Sequence, residues 1–180
     1  MSASVPLGPV VAWILLATLA GGRCYASDRK AHVRGINRAG WDAGALLAEA
    51  ARRCPSLRDA LAALDKTNVI VLVEFKDVGP RQPPGALHYI GTGHGYRYVQ
   101  IILFPFARRN EQIATLAHEL QHAMEIAADP SVRDQASLRE LYRRIGDEVE
   151  DNIFETDLAR QAYRLAIGEL TSTPARTEKR

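Results

Sequence analysis

Residues 113–127 read Ile113-Ala114-Thr115-Leu116-Ala117-His118-Glu119-Leu120-Gln121-His122-Ala123-Met124-Glu125-Ile126-Ala127. No proline or glycine interrupts the run, and Ile113, Ala117, Leu120, Met124 and Ala127 recur at helical spacing. That stripe is expected to face the core. His118 and His122 leave the other side, with Glu111, Thr115 and Glu125. Four residues apart, the two imidazoles lie one turn apart on one face and can converge on a single Zn²⁺. Glu119 is rotated by about 100° from His118, which is awkward for ligation but suits a general base beside an activated water. The competing reading is a solvated pair of surface histidines.

Working outward from this helix, Asn110 is a candidate N-cap, and Asp129-Pro130 ends the helix near Ala128. Before it, Asn68 to Phe75 is mostly β-branched and predicts a strand. Gly79 to Gly85, with Pro80, Pro83 and Pro84, predicts a loop. Leu87 to Gly91 and Tyr96 to Phe104 predict two strands joined as a hairpin through Thr92-Gly93-His94-Gly95. Trp41 to Arg53 reads as a helix stopped by Pro55, and a second short helix follows with Ser56 as N-cap and Asp59 three residues on. After the central helix, Ser137 with Glu140 suggests a capping box for a short helix ending at Gly146. Asp147 with Glu150 gives a similar signal for a long helix running to about Leu170. The expected fold class is therefore α+β, with a small antiparallel or mixed sheet packed on the active-site helix and a long C-terminal helix.

Composition sets the boundaries. At 180 residues, 47% apolar and 24% charged, the chain suits one globular domain. A net charge of +2, with no basic stripe, gives no reason to expect nucleic acid as a partner. Residues 1–26 hold an apolar run from Val10 to Ala20, then small residues and Cys24-Tyr25-Ala26. This run is short for a bilayer span and has the length of a signal-peptide core, although no Lys or Arg precedes it. The expected division is a signal peptide at 1–26, a single metallopeptidase-like domain at 27–170 and a disordered tail at 171–180. An uncleaved anchor is the rival reading. Cleavage implies an exported, periplasmic or extracellular protein with no stable membrane partner. Cutting after Ala26 leaves Cys54 alone, whereas an earlier cut keeps Cys24 and permits a Cys24–Cys54 bridge.

A catalytic zinc site needs a third protein ligand and an open position. Taken as helical, residues 147–170 put Glu155 in line with Glu148, Asn152, Ala159, Ala162 and Ala166 on an inward face. A buried carboxylate there calls for a metal or a charged partner. Glu155 is thus the chosen third ligand, ahead of Glu148, Glu140 and Asp151. A buried salt bridge to Arg143 or Arg144 is the alternative. Tyr142, Tyr163 and His94 are possible transition-state donors, none of them assigned, and His32 and His88 carry no signal of a role.

His118-Glu119-Leu120-Gln121-His122, followed downstream by a glutamate, resembles the gluzincin branch of zinc metallopeptidases over roughly residues 96–170. The resemblance implies a zincin-like fold, His118 and His122 as zinc ligands, Glu119 as general base and a peptide or protein substrate. It also implies that Tyr96 to Phe104 is the sheet edge above the active-site helix, where an extended peptide adds as a strand. The extended pattern with a third histidine is not met, because Glu125 and Ala128 stand at its Gly and His positions. Nor is the thermolysin-like Asp four residues after the ligand Glu, because position 159 is Ala159. A non-peptidase metal hydrolase and a catalytically idle zinc-stabilised binding module remain as alternatives.

Overall fold

The computed structural model describes residues 32–36, 42–77, 83–150 and 153–172. The expected leader at 1–26, Cys24, Trp41, Asp151, Asn152 and most of the expected tail lie outside them. Among the described residues no helix is long and apolar enough to cross a membrane.

The chain is α+β, with a four-stranded mixed sheet, a separate two-stranded ribbon and five helices among the described residues. β1 (Val33–Ile36) leads into α1 (Ala43–Arg53) and α2 (Pro55–Leu64), then β2 (Val69–Phe75). β3 (Gly85–Gly93) and β4 (Tyr96–Leu103) form a hairpin, followed by α3 (Arg109–Ala128) and α4 (Gln135–Ile145). The ribbon of β5 (Asp147–Glu150) and β6 (Ile153–Glu155) precedes α5 (Asp157–Ser172).

The sheet order is β1-β2-β4-β3, parallel except for the antiparallel β3. β2 is buried at every residue but Leu72, as a parallel strand flanked on both sides should be. The hairpin turns at His94 and Gly95, whose φ values of 51° and 81° match the right-handed twist of the flanking strands. Val69, Val71 and Val73 share one buried face with Val99, Ile101 and Leu103, and α1 and α3 pack on the sheet. β4 is therefore an interior strand, and the edge beside α3 is β3, not Tyr96 to Phe104 as expected.

The starts of α1 to α4 differ from the sequence reading, and α3 is capped at Arg108, two residues before the expected Asn110. Asp42 caps α1, its Oδ1 accepting from the Ala45 amide at 2.8 Å. Pro55 opens α2 instead of merely stopping α1, with Cys54 at the N-cap, because its missing N–H is harmless at the first helical position. Asp134 caps α4, with Ser137 as its partner inside the first turn. Thr171 and Ser172, expected in the tail, belong to α5.

The largest departure is at residues 147–150 and 153–155, which pair as a two-stranded ribbon and are not the first turns of a helix. Asp147, Glu150 and Asp151 would stand three and four apart on a helix, so like charges would repel along one face. The following helix starts at its own cap, where the Thr156 hydroxyl accepts from the Ala159 amide at 3.1 Å. Beyond that point the inward alanine face holds: Ala159 and Ala166 are fully buried, and α5 packs along α3.

Two charged contacts fix α3 against the rest. Arg97, buried on β4, donates to the carbonyls of Ile126 at 2.6 Å and Asp129 at 2.7 Å and to Asn68 Oδ1 at 2.7 Å. It satisfies carbonyls that a helix C-terminus leaves without partners. At the other end, Glu49 of α1 accepts from Arg53 at 2.6 Å and Arg109 at 2.7 Å. Burial would raise the Glu49 pKa, but the two arginines outweigh it and hold it below the ordinary carboxylate value.

Replacing Arg97 by Met should cost about 2–3 kcal/mol in urea unfolding, because buried carbonyls lose their donor. Glu49 contributes stability above its unfolded pKa, and this is lost as pH falls through its lower folded value. The stability gap between wild type and Glu49→Gln, measured by thermal unfolding, should therefore shrink as the solution is acidified below about pH 4.

Candidate metal centre

α3 is buried almost all round, not along one stripe. Ile113, Leu116, Leu120 and Ile126 face the core, while Thr115, Glu119, His122 and Glu125 are buried as well. The polar side is covered by β3, α4 and the Thr156 cap. His118 keeps partial exposure, so His118 and His122 are neither core fillers nor a solvated surface pair. Their rings meet edge to face with centroids 4.9 Å apart.

Both histidines, Glu119 and Glu155 line one cavity of about 540 Å³. β3 supplies one wall through Gly85, Ala86, Leu87 and His88. α4 supplies another through Gln135, Leu138, Arg139 and Tyr142, and β6 closes it with Ile153, Phe154 and Glu155.

Glu155 Oε1 lies 3.4 Å from His118 Nε2. It reaches this position from the end of β6, not from an inward helix face, so the expected neighbour is present but the helical reasoning behind it is corrected. Its cationic neighbour is Arg160, 3.9 Å from Oε2. Arg143 and Arg144, expected as alternative partners, pair instead with Glu140 and Asp129. Glu148 is exposed on β5.

Glu125 has a part that the sequence reading did not give it. Its Oε2 lies 2.8 Å from His122 Nδ1, and its Oε1 accepts from the Thr156 hydroxyl at 2.6 Å. A carboxylate on Nδ1 fixes the ring and leaves Nε2 as the nitrogen available for a ligand. The spacing of three from His122 was visible in the sequence, but Thr156 could be found only in three dimensions. Of the possible donors, Tyr142 stands in the cavity wall, against the His122 ring at a centroid distance of 5.2 Å. His94 sits in the β3–β4 turn, and Tyr163 packs on the core from α5. His32 is structural, with Nδ1 3.1 Å from the Leu64 carbonyl, whereas His88 lines the cavity.

The charges interlock. Burial pushes the Glu119 carboxyl above its ordinary pKa, offset in part by the two histidines. Burial would lower the His118 pKa, but the Glu155 and Glu119 carboxylates carry it upward. Glu155 is correspondingly lowered, first by its hydrogen bond with His118. The Tyr142 phenol is pushed up by burial and by Glu125 and Glu119, and its hydroxyl donates to the His122 carbonyl at 3.4 Å.

Among the described residues no three His, Cys, Asp or Glu side chains are already gathered as a metal cage. Two imidazoles and a carboxylate are donors of the kind zinc takes, and the His118–Glu155 separation is that of an ion pair as much as of two ligands. Two ligands about 2.05 Å from an ion at a tetrahedral angle stand about 3.3–3.4 Å apart, which is the spacing of His118 Nε2 and Glu155 Oε1. The buried Cys54 thiol offers nothing to this group; it donates to Glu169 at 2.7 Å on the far side of α5.

Gly85 is where β3 crosses closest to this group. A Cβ there would lie 2.4 Å from Thr115 Cγ2 and 2.9 Å from Glu119 Oε1. Gly85→Ala should therefore displace Glu119 and cost about 1–3 kcal/mol in denaturant unfolding. Adding Thr115→Ser, which removes the methyl, should recover part of that loss. Comparisons of the chain with protein-family models, with curated proteins and with solved structures find no match.

Proposed function

We propose that the chain is a zinc-dependent hydrolase with a zincin-like, gluzincin-like arrangement, acting as a peptidase on peptide or protein substrates. His118, His122 and Glu155 hold the metal, and Glu119 is the general base. The observation that carries this reading is the approach of Glu155 to within 3.4 Å of His118, in a cavity that also takes in Glu119 and His122. If the leader at 1–26 is a signal peptide, the enzyme works outside the cytoplasm, in a periplasmic or extracellular space.

Zinc, when bound, supplies Lewis acidity, bringing the pKa of water towards ~7 and polarising the scissile carbonyl. Glu119 accepts the proton of the attacking water and passes it to the leaving amine. A pKa raised above the ordinary carboxylate value makes Glu119 a better acceptor of that proton. Glu125 holds His122 in the tautomer that presents Nε2. Tyr142 packs against the His122 ring with its hydroxyl donating to the His122 carbonyl at 3.4 Å, which steadies that turn of α3 in the cavity wall.

Two outcomes separate this from an idle zinc module. Elemental analysis of the purified protein should find about one zinc per chain, and His122→Ala should lower it to background. Glu119→Gln should keep the metal while peptide hydrolysis falls by about 10²–10⁴-fold. Unchanged behaviour of Glu119→Gln would favour the idle module, and a metal-free wild type would remove the whole reading. Hydrolysis of an ester or other amide with peptides left intact would favour a non-peptidase hydrolase.

A further inference from the structure

α4 presents Gln135, Leu138, Arg139 and Tyr142 to the cavity, the spacing of one helix face. Tyr142 lies at the inner end, against His122, and Arg139 stands roughly 4.5 Å towards the helix N-terminus. α4 carries three arginines, and their surroundings differ. Arg143 is paired with Glu140 and Arg144 with Asp129. Arg139 is exposed and makes no ion pair among the described residues.

Arg139 is also the only Lys or Arg among the described residues that line the cavity. The neighbouring wall is apolar, with Leu87, Leu138, Ile153 and Phe154. Deeper in, Glu119, Glu125 and Glu155 crowd around the two histidines. Apart from Arg139, no lining side chain among the described residues carries a permanent positive charge to meet a substrate anion. One free guanidinium on the wall reverses the balance a turn further out, because its planar fork matches a carboxylate.

We propose that Arg139 is a specificity-determining residue that binds a substrate carboxylate, so that the enzyme favours peptides carrying an acidic group within a residue or two of the cleaved bond. The inference rests on the peptidase reading and narrows its substrate class. The carboxylate can be an Asp or Glu side chain or the substrate's own C-terminus.

The test uses the zinc-supplemented protein and matched peptides. One set has an Asp or Glu beside the cleavage site, another has Asn or Gln there, and each is made with a free and with an amidated C-terminus. Wild type should favour the carboxylate-bearing peptides in kcat/KM by about 10- to 100-fold. Arg139→Gln should bring that ratio close to one, and Arg139→Glu should invert it in favour of Lys-bearing peptides. A preference that survives amidation assigns the anion to a side chain, and one abolished by amidation assigns it to the terminus. Binding of the same peptides to Glu119→Gln, measured by calorimetry, reads anion capture without turnover. If no peptide is cleaved but binding still depends on the carboxylate and on Arg139, the peptidase reading fails and carboxylate capture by Arg139 alone stands. Cleavage or binding indifferent to the carboxylate, or a preference unchanged in both Arg139 variants, overturns it.

Discussion

The Glu125 carboxylate, shut between the His122 ring and the Thr156 hydroxyl, joins the two parts of the cavity floor. One oxygen faces Nδ1 of an α3 histidine. The other is held by the residue that both caps α5 and follows Glu155. A buried carboxylate left without partners is costly, so the chain must keep both contacts or expose α3 to water. Keeping both brings the end of β6 beside His118. The approach of Glu155 to that ring is thus a consequence of satisfying its neighbour, and the β5–β6 ribbon is the device that turns the chain back far enough to allow it.

The sheet serves the same end from the opposite side. β2 and β4 pair in parallel across seven residues and give α3 a flat apolar seat. Arg97 then fixes where along that seat the helix ends, by gathering the carbonyls of its last turn. Gly85 lets β3 pass close over Thr115 and Glu119, which removes Glu119 from water and shifts its pKa upward. The same packing that stabilises the helix therefore sets the basicity of the group proposed to work on it. Helix burial and site chemistry are not separable here.

Local periodicity made much of this legible. The β-branched run at 69–75 is β2, the two strands and their turn are β3 and β4, and α3 ends at Ala128 as expected but is capped at Arg108, two residues before Asn110. β1 was missed because four residues with one glycine give too short a pattern to distinguish from loop. The ribbon was missed because Asp147 with Glu150 imitates a capping box. The true cap of α4, Asp134, stands three residues before the inferred Ser137, whereas that of α5, Thr156, stands nine residues after the inferred Asp147. A capping box describes which residues can satisfy an amide and not which will, and competing candidates within one turn are decided by what the helix packs against.

By itself, the sequence determined the spacing of His118, Glu119 and His122 on one uninterrupted helix, because side-chain direction follows from 3.6 residues per turn wherever the helix lies. It also determined that a sheet precedes this helix and that an alanine-faced helix follows to pack on it. Only the tertiary structure decided what covers the polar side of α3: β3 over Glu119, Tyr142 beside His122, and Glu155 beside His118. These neighbours come from segments 20 or more residues away in most cases, and local pattern carries no information on distance across such a span. Glu155 was singled out in the sequence as a carboxylate on an inward helix face, whereas the fold sets it part-buried at the end of β6, beside His118 and just before the helix begins.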